Sequence, residues 1–516
     1  MSTQIPPASK RARRQAQEAQ QTSKLVDPVL ANFPNVRIKL QAQENGETIN
    51  NLRVPGTSTV QQLELLVNKL LNSEENVPYE FVCNGKPIHN DLFTDIFKPE
   101  LQSPEDEILI EYSPRAVFRV RNITRSSGVA LGHGATILSA QFAPDTATRA
   151  VTGAGDCTAR IWSSDSGTPI KCLQGHADHV LCAKYSPCGR YIASASRDGT
   201  IGVWDALSGD AVGKLIRAHS AYITDICWEP LHLANPTIGC RLVSGSKDKT
   251  AKLWDVLSGH CLYTFSHTNT VSCVKWGGFN DVYTASHDKT VKVWDASSGR
   301  MKRSLDAHAH WVNHIALSTD FALRSGAYGP TLKLDIPTPK GPSTHNAVDQ
   351  ARFKELQKIA SQKFEQALSH NKRELVATAS DDFTMYLWDM KQTKPLARLT
   401  GHQQLVNHVC FSPDGRYLAS SSFDRSVKLW EAQTGKFIAS LRGHVAAVYQ
   451  SAWSADSRLL VSCSKDTTLK VWDIATRKLK SDLPGHKDEV YAVDWSVDGT
   501  KVVSGSRDKT VRFWTY

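Results

Sequence analysis

Hydrophobic and polar positions along this chain fall into two rhythms. The first is alternation: Val36-Arg37-Ile38-Lys39-Leu40 reads as a half-buried strand, and Leu52-Arg53-Val54 can pair with it across an Asn45-Gly46 turn. A helical period follows, in which Ser58 or Thr59 can cap a helix with Val60, Leu63, Leu66, Val67 and Leu70 on one face. Tyr79 to Val82 is strand-like, Asn84-Gly85 makes a turn, and Ile108, Ile110 and Tyr112 alternate again. Beyond them the second rhythm begins: short apolar runs recur about every 40 residues to the last residue of the chain.

The second rhythm carries fixed polar markers. An Asp stands six residues before a Trp in eight pairs, from Asp156/Trp162 through Asp198/Trp204, Asp248/Trp254, Asp288/Trp294, Asp382/Trp388, Asp424/Trp430 and Asp466/Trp472 to Asp508/Trp514. A Ser or Thr lies ten residues before each Trp, and a His opens each unit, from His133 to His486. A period near 40 with His, Asp and Trp in register predicts a β-propeller. The Trp spacings are 42, 50, 40, 94, 42, 42 and 42. The gap of 94 invites a ninth blade, and Ser325-Gly326-Ala327 to Leu334-Asp335 loosely mimics the end of a repeat. But residues 340–374 supply no opening His; they read as a loop and a charged helix with Phe353, Leu356, Ile359, Ala360 and Phe364 apolar. The expectation is eight blades, with an insertion at about 336–374 in the fifth. The last repeat ends after its third strand, so ring closure needs a strand from elsewhere, expected at about Val117 to Thr124.

The predicted class is therefore mainly β. Residues 1–33 form a basic tail expected to be disordered, 34–115 an α+β ubiquitin-like (β-grasp) domain, and 116–516 an eight-bladed WD-repeat propeller. No di-Gly tail follows the small domain, which reads as a docking module rather than a conjugation tag.

Composition changes this picture in three ways. The net charge of +10 suits an acidic partner: nucleic acid, an acidic protein face or an anionic membrane. Eleven cysteines with no C-x-x-C pair, several in strand-like runs (Cys182, Cys227, Cys273, Cys410), suit reduced thiols in a cytosolic or nuclear protein. No apolar run reaches the roughly 18 residues of a membrane span, and no secretory signal is expected.

Eight repeated His, Ser/Thr and Asp sets resemble catalytic triads in composition only, because a catalytic site occurs once. There is no Gly-rich phosphate loop, no H-E-x-x-H and no G-x-S-x-G, so no enzyme is expected. Binding residues are sought at variable positions instead. Among the residues flanking the turn Asp, Arg197, Lys247, Lys249, Lys289, Arg425, Lys465, Arg507 and Lys509 are basic, against the acid Asp381. They either form a positive face or are simply common turn residues. Tyr222 and Trp311, three residues after their His, either present exposed aromatic surface or pack on a neighbouring loop. Lys10, Arg11, Arg13 and Arg14 form a nuclear-import candidate. Glu105-Asp106-Glu107 reads as a solvated loop or as a carboxylate offered to a metal held by another protein.

The domain order, with the stretches from Tyr112 to Phe118, Val151 to Asp156, His308 to His314 and Leu483 to Tyr491, resembles the Notchless family of ribosome-assembly factors. The resemblance implies a nucleolar, nuclear and nucleoplasmic factor, a monomer on the precursor of the large ribosomal subunit. It implies that the propeller meets ribosomal proteins and rRNA, with no membrane partner. It further implies that the ubiquitin-like domain binds the MIDAS domain of the AAA+ ATPase midasin, where one Glu completes the coordination of a Mg²⁺ ion supplied by that partner. The matching acid is Glu105, with Asp106 and Glu107 as alternates; the chain alone is expected to bind no metal. The rival expectation is a WD-repeat scaffold or ubiquitin-ligase substrate receptor in Notch signalling.

Overall fold

The computed structural model describes residues 35–114 apart from 43–47, 57, 72–78, 84–85, 89–91, 94–95 and 97–107, and residues 120–516 apart from 235–239, 330–346, 370–372 and 393. The chain divides into two compact units, Met1–Val117 and Phe118–Tyr516. The Asn45-Gly46 and Asn84-Gly85 turns lie outside the described residues, as does the basic tail.

In the first unit, strands β1 (Asn35–Ala42), β2 (Thr48–Pro55), β3 (Tyr79–Cys83), β4 (Lys86–Pro87) and β5 (Ile108–Pro114) form one sheet in the order β2-β1-β5-β3-β4. β1 and β5 run parallel with Ile38 opposite Ile108 and Leu40 opposite Ile110, and helix α1 (Val60–Leu70) lies between them in sequence. This is the β-grasp arrangement. Alternation explains the core: Val36, Ile38, Leu40, Phe81, Ile108 and Ile110 are fully buried with Leu63 and Val67 of α1. The helix starts at Thr59, whose backbone N–H donates to Gln62 Oε1 at 3.1 Å. Leu70 departs from its predicted place on the buried face. It sits in the last turn and is 40% exposed, because the apolar stripe has rotated off the sheet by then.

Among the described residues, the second unit holds eight four-stranded sheets. Their inner strands neighbour one another in sequence order and the eighth neighbours the first, so the ring closes. Closure uses β6 (Arg125–Ala130), which pairs antiparallel with the final strand Val511–Thr515, Ala130 opposite Val511 and Arg125 opposite Thr515. This corrects the placement at Val117 to Thr124. Outer strands elsewhere end just before the next His, as Leu399 does three residues before His402 and Leu483 three before His486, and Ala130 keeps that spacing to His133. Val120 and Ile123 are instead wedged into the core of the last blades beside Leu459, Trp495 and Trp514, and Val120 N–H donates to Asp456 at 2.9 Å.

The gap of 94 residues is an insertion, not a blade. It leaves the fifth blade after its inner strand (Val312–Leu317) and returns at its second (Leu375–Ser380). It contains α2 (Asp320–Ser325), which takes up the Ser325-Gly326 resemblance to a repeat, and α3 (Ala347–Ser369). Leu356, Ala360 and Phe364 of α3 are buried as their spacing predicts, against Leu231 and Ala327 and by stacking of Phe364 on His232 at 4.7 Å. Glu374 ties the insertion at both ends, accepting from Thr319 Oγ1 at 2.5 Å and from Gly278 N–H at 3.1 Å. Because the insertion leaves the far end of an inner strand, it covers the end of the ring opposite the His and Asp turns.

Candidate interaction face

Each blade contains the same directed hydrogen-bond chain. Trp Nε1–H can only donate, and does so to the Ser/Thr hydroxyl at 2.7–3.1 Å, as from Trp162 to Thr152 and from Trp388 to Thr378. That hydroxyl meets His Nε2 at 2.7–2.8 Å, and His Nδ1 meets the turn carboxylate at 2.7–3.0 Å in seven blades, as in His402–Asp424 and His308–Asp382. The carboxylate can only accept, so Nδ1 of the histidine carries a proton. In the second blade Thr200 relays the bond: His176 Nδ1 lies 2.7 Å from Thr200 Oγ1, which donates to Asp198 at 2.6 Å. All eight Ser/Thr hydroxyl-bearing residues are completely buried, so none is a nucleophile facing a substrate. These sets hold the blades together.

Burial lowers the pKa of His133, His176, His219, His402 and His486. Burial alone would raise the turn carboxyls, but bonds from His, Thr or Ser and backbone N–H outweigh it; Asp288, Asp382, Asp424, Asp466 and Asp508 are held below the usual range. Both groups have depressed folded-state values, so both contribute stability above their unfolded values that is lost on acidification. The thermal midpoint is therefore expected to be level at pH 7–8, to fall once the pH passes below about 6.5 as the unfolded chain takes up histidine protons, and to fall faster below about 4. Scanning calorimetry across this range checks it; a midpoint that rises between pH 7 and 5 would contradict it.

The turn Asp also fixes the face on which the basic residues stand. Its Oδ1 accepts the backbone N–H two residues on, as from Thr250 to Asp248 at 3.0 Å, leaving one residue between them in the left-handed region. Lys249, Lys289, Arg425 and Lys509 occupy that position with φ between 66° and 73°. Cys157, Phe383 and Thr467 hold it in other blades, so the turn does not select a basic residue. The eight basic candidates divide in two. Arg197 faces Asp178 at 3.7 Å, Lys465 faces Glu489 at 3.5 Å, Arg507 faces Asp488 at 3.6 Å, and Lys247 lies 5.0 Å over the ring of Tyr222. Lys249, Lys289, Arg425 and Lys509 are exposed and, among the described residues, have no carboxylate within ion-pair range. The positive face is thus uneven.

Two of the residues standing third after a His lean on the preceding blade. Glu489 meets Lys465 in this way, and the Trp311 ring stacks on His287 at 4.6 Å and 10°. Trp311 still leaves 43% of its surface exposed, so it both packs on a neighbouring loop and presents aromatic area. Glu105, Asp106 and Glu107, and Lys10, Arg11, Arg13 and Arg14, lie outside the described residues.

Sequence reasoning missed the polar lining of the central channel, a cavity of about 570 Å³. Lys184 bonds Asp225 at 2.6 Å, Lys275 bonds Asp320 of α2 at 3.0 Å, and Arg324 of α2 bonds Asp494 across the ring at 2.6 Å. His314 and His408 sit with ring centroids 4.3 Å apart, and burial holds the pKa of His408 down at about 3. The signal was present: Lys184, Lys275 and Asp494 each stand one residue before the aromatic that ends an inner strand. Among the described residues no cluster of three or more His, Cys, Asp or Glu is placed to hold a metal, and no helix is long and apolar enough to cross a membrane.

Two family models match the chain: the NLE (NUC135) domain over residues 36–94, and the WD domain, G-beta repeat over seven segments between 125 and 515. The unmatched blade is the fifth, which the insertion divides. The chain is 52% identical to Ribosome assembly protein 4 of Saccharomyces cerevisiae, covering 81% of each chain. It is 41% identical to Protein Notchless of Drosophila melanogaster over 73% of this chain and 75% of that one, and 43% identical to a Notchless protein homolog of Arabidopsis thaliana over 71% and 74%. A solved structure, the computationally designed Ika8 protein, superposes with a TM-score of 0.57 at 26% identity, covering 76% of this chain and all of the other. An NLE-type β-grasp unit followed by an eight-bladed WD propeller, with relatives this similar along most of their length, establishes that the chain belongs to the Notchless family.

Proposed function

We propose that this protein is a non-catalytic assembly factor of the large ribosomal subunit, working in the nucleolus and nucleoplasm. The observation that carries the reading is 52% identity over 81% of both chains to a protein named for ribosome assembly. In this reading the propeller binds the precursor particle and the ubiquitin-like unit docks to the MIDAS domain of midasin. Glu105, three residues before β5, supplies one oxygen ligand to the Mg²⁺ that midasin holds; Asp106 and Glu107 are the neighbouring alternates. This chain's own part is mechanical. A pull on the first unit reaches the propeller through Val120 and Ile123 and then β6, the strand that locks the ring. Eight hydrogen-bonded blades and the α2 bridges across the channel keep the ring from deforming, so the force passes to the particle and the factor leaves with a maturation step.

Sedimentation of nuclear extract on a sucrose gradient tests the reading. The full chain is expected in fractions holding large-subunit precursors. Its confinement to light fractions, with a cullin-type ligase as its partner, would overturn the assembly reading in favour of a substrate receptor.

A further inference from the structure

Aromatic and cationic side chains are interleaved over three adjacent blades on the end of the ring that carries the His and Asp turns. The third blade contributes Lys247 over Tyr222, with Lys249 in the left-handed turn position beside them. The fourth contributes His287 and Lys289, and the fifth contributes Trp311, stacked on His287 across the blade boundary. Asp381, the acid beside the stack, is already engaged by Asn313 at 2.7 Å and His310 at 3.6 Å. The Trp311–His287 stack is preformed, so a further ring could add to it without first ordering either side chain.

We propose that Tyr222, Lys247, Lys249, His287, Lys289 and Trp311 form a stacking site for single-stranded RNA. An unpaired base extends the Trp311–His287 stack on the exposed Trp311 surface, while Lys249 and Lys289 take backbone phosphates. Aromatic faces alternating with unpaired cations are what a single strand needs, since every base has a π-face and every link a charge. A duplex would offer its bases no access to Trp311. A protein helix would bring no charge to neutralise Lys249 and Lys289 unless it were acidic, and that outcome is separated by the test. The inference rests on the reading that the propeller works on a ribosomal precursor.

The test is fluorescence titration of the full chain with fluorescein-labelled oligouridine at several salt concentrations. Trp311→Ala is expected to weaken binding about tenfold, with Trp311→Phe losing less. The pair Lys249→Gln with Lys289→Gln is expected to reduce the log–log salt slope by roughly 1.4, about 0.7 for each phosphate contact on a single strand. These side chains are exposed, so unfolding midpoints should match the unsubstituted protein. Affinity and slope unchanged in Trp311→Ala and the Lys pair would overturn the site. So would substitutions that spare oligouridine binding but release the chain from particles, since the arc would then be a protein contact. Gradient sedimentation of the unsubstituted chain scores the assembly reading independently.

Discussion

A chain shortened to begin at Leu131 will not hold its last blade. β6 is the outer strand of that blade and, among the described residues, the only strand of it drawn from outside the last 30 residues. Its loss would leave Val511–Thr515 as a bare edge and uncover Phe513 and Trp514, which are buried. Emptying one large core site costs about 3–5 kcal/mol, and each unmade backbone hydrogen bond adds about 1 kcal/mol. The consequence spreads, because a propeller is stable as a closed ring and an open one exposes edges on two blades. The shortened chain is expected to melt at a lower temperature, to expose the last blade to protease first, and to aggregate on heating. Adding a peptide of residues 119–131 in trans should restore the midpoint by strand addition, whereas a peptide of residues 115–124 should not. Full stability of the shortened chain would mean that the ring closes by another route.

Much of this fold was legible because its determinants recur. Ser/Thr, Asp and Trp hold fixed offsets in sequence, with a His ahead of each set, since each set closes one hydrogen-bond chain within one blade, and eight copies make the pattern unmistakable. The helix of the insertion was equally readable, from the spacing of Leu356, Ala360 and Phe364. The closing strand was misplaced because Arg125-Ser126-Ser127-Gly128-Val129-Ala130 lies at a blade edge, where only Ala130 is buried and alternation is weak. Val117 to Thr124 carried the stronger apolar signal, but Val120 and Ile123 spend it on core packing rather than pairing.

The interaction face was half legible. Basic residues at turns could be read directly, and their division into acid-paired and unpaired could not, since Arg197–Asp178 and Lys465–Glu489 join separate turns or separate blades. The Trp311–His287 stack likewise crosses a blade boundary. The channel was missed for a different reason. An inner strand that faces the central channel looks like any other mixed strand until the ring brings Lys184 to Asp225 and Arg324 to Asp494.

The docking claim depends on one carboxylate. A Mg²⁺ ion takes six oxygen ligands in near-octahedral geometry and accepts no neutral methyl group in place of one. Removing the side chain that fills the last position should therefore cost more than the 10–100-fold typical of groups that merely support a ligand. The direct measurement is binding of the full chain to the isolated MIDAS domain of midasin, in Mg²⁺ and in EDTA, for the unsubstituted protein and for Glu105→Ala, Asp106→Ala and Glu107→Ala. The account predicts binding that needs the metal, is lost in Glu105→Ala by at least about 100-fold, and survives the other two substitutions. Binding that persists in EDTA and in Glu105→Ala would contradict it.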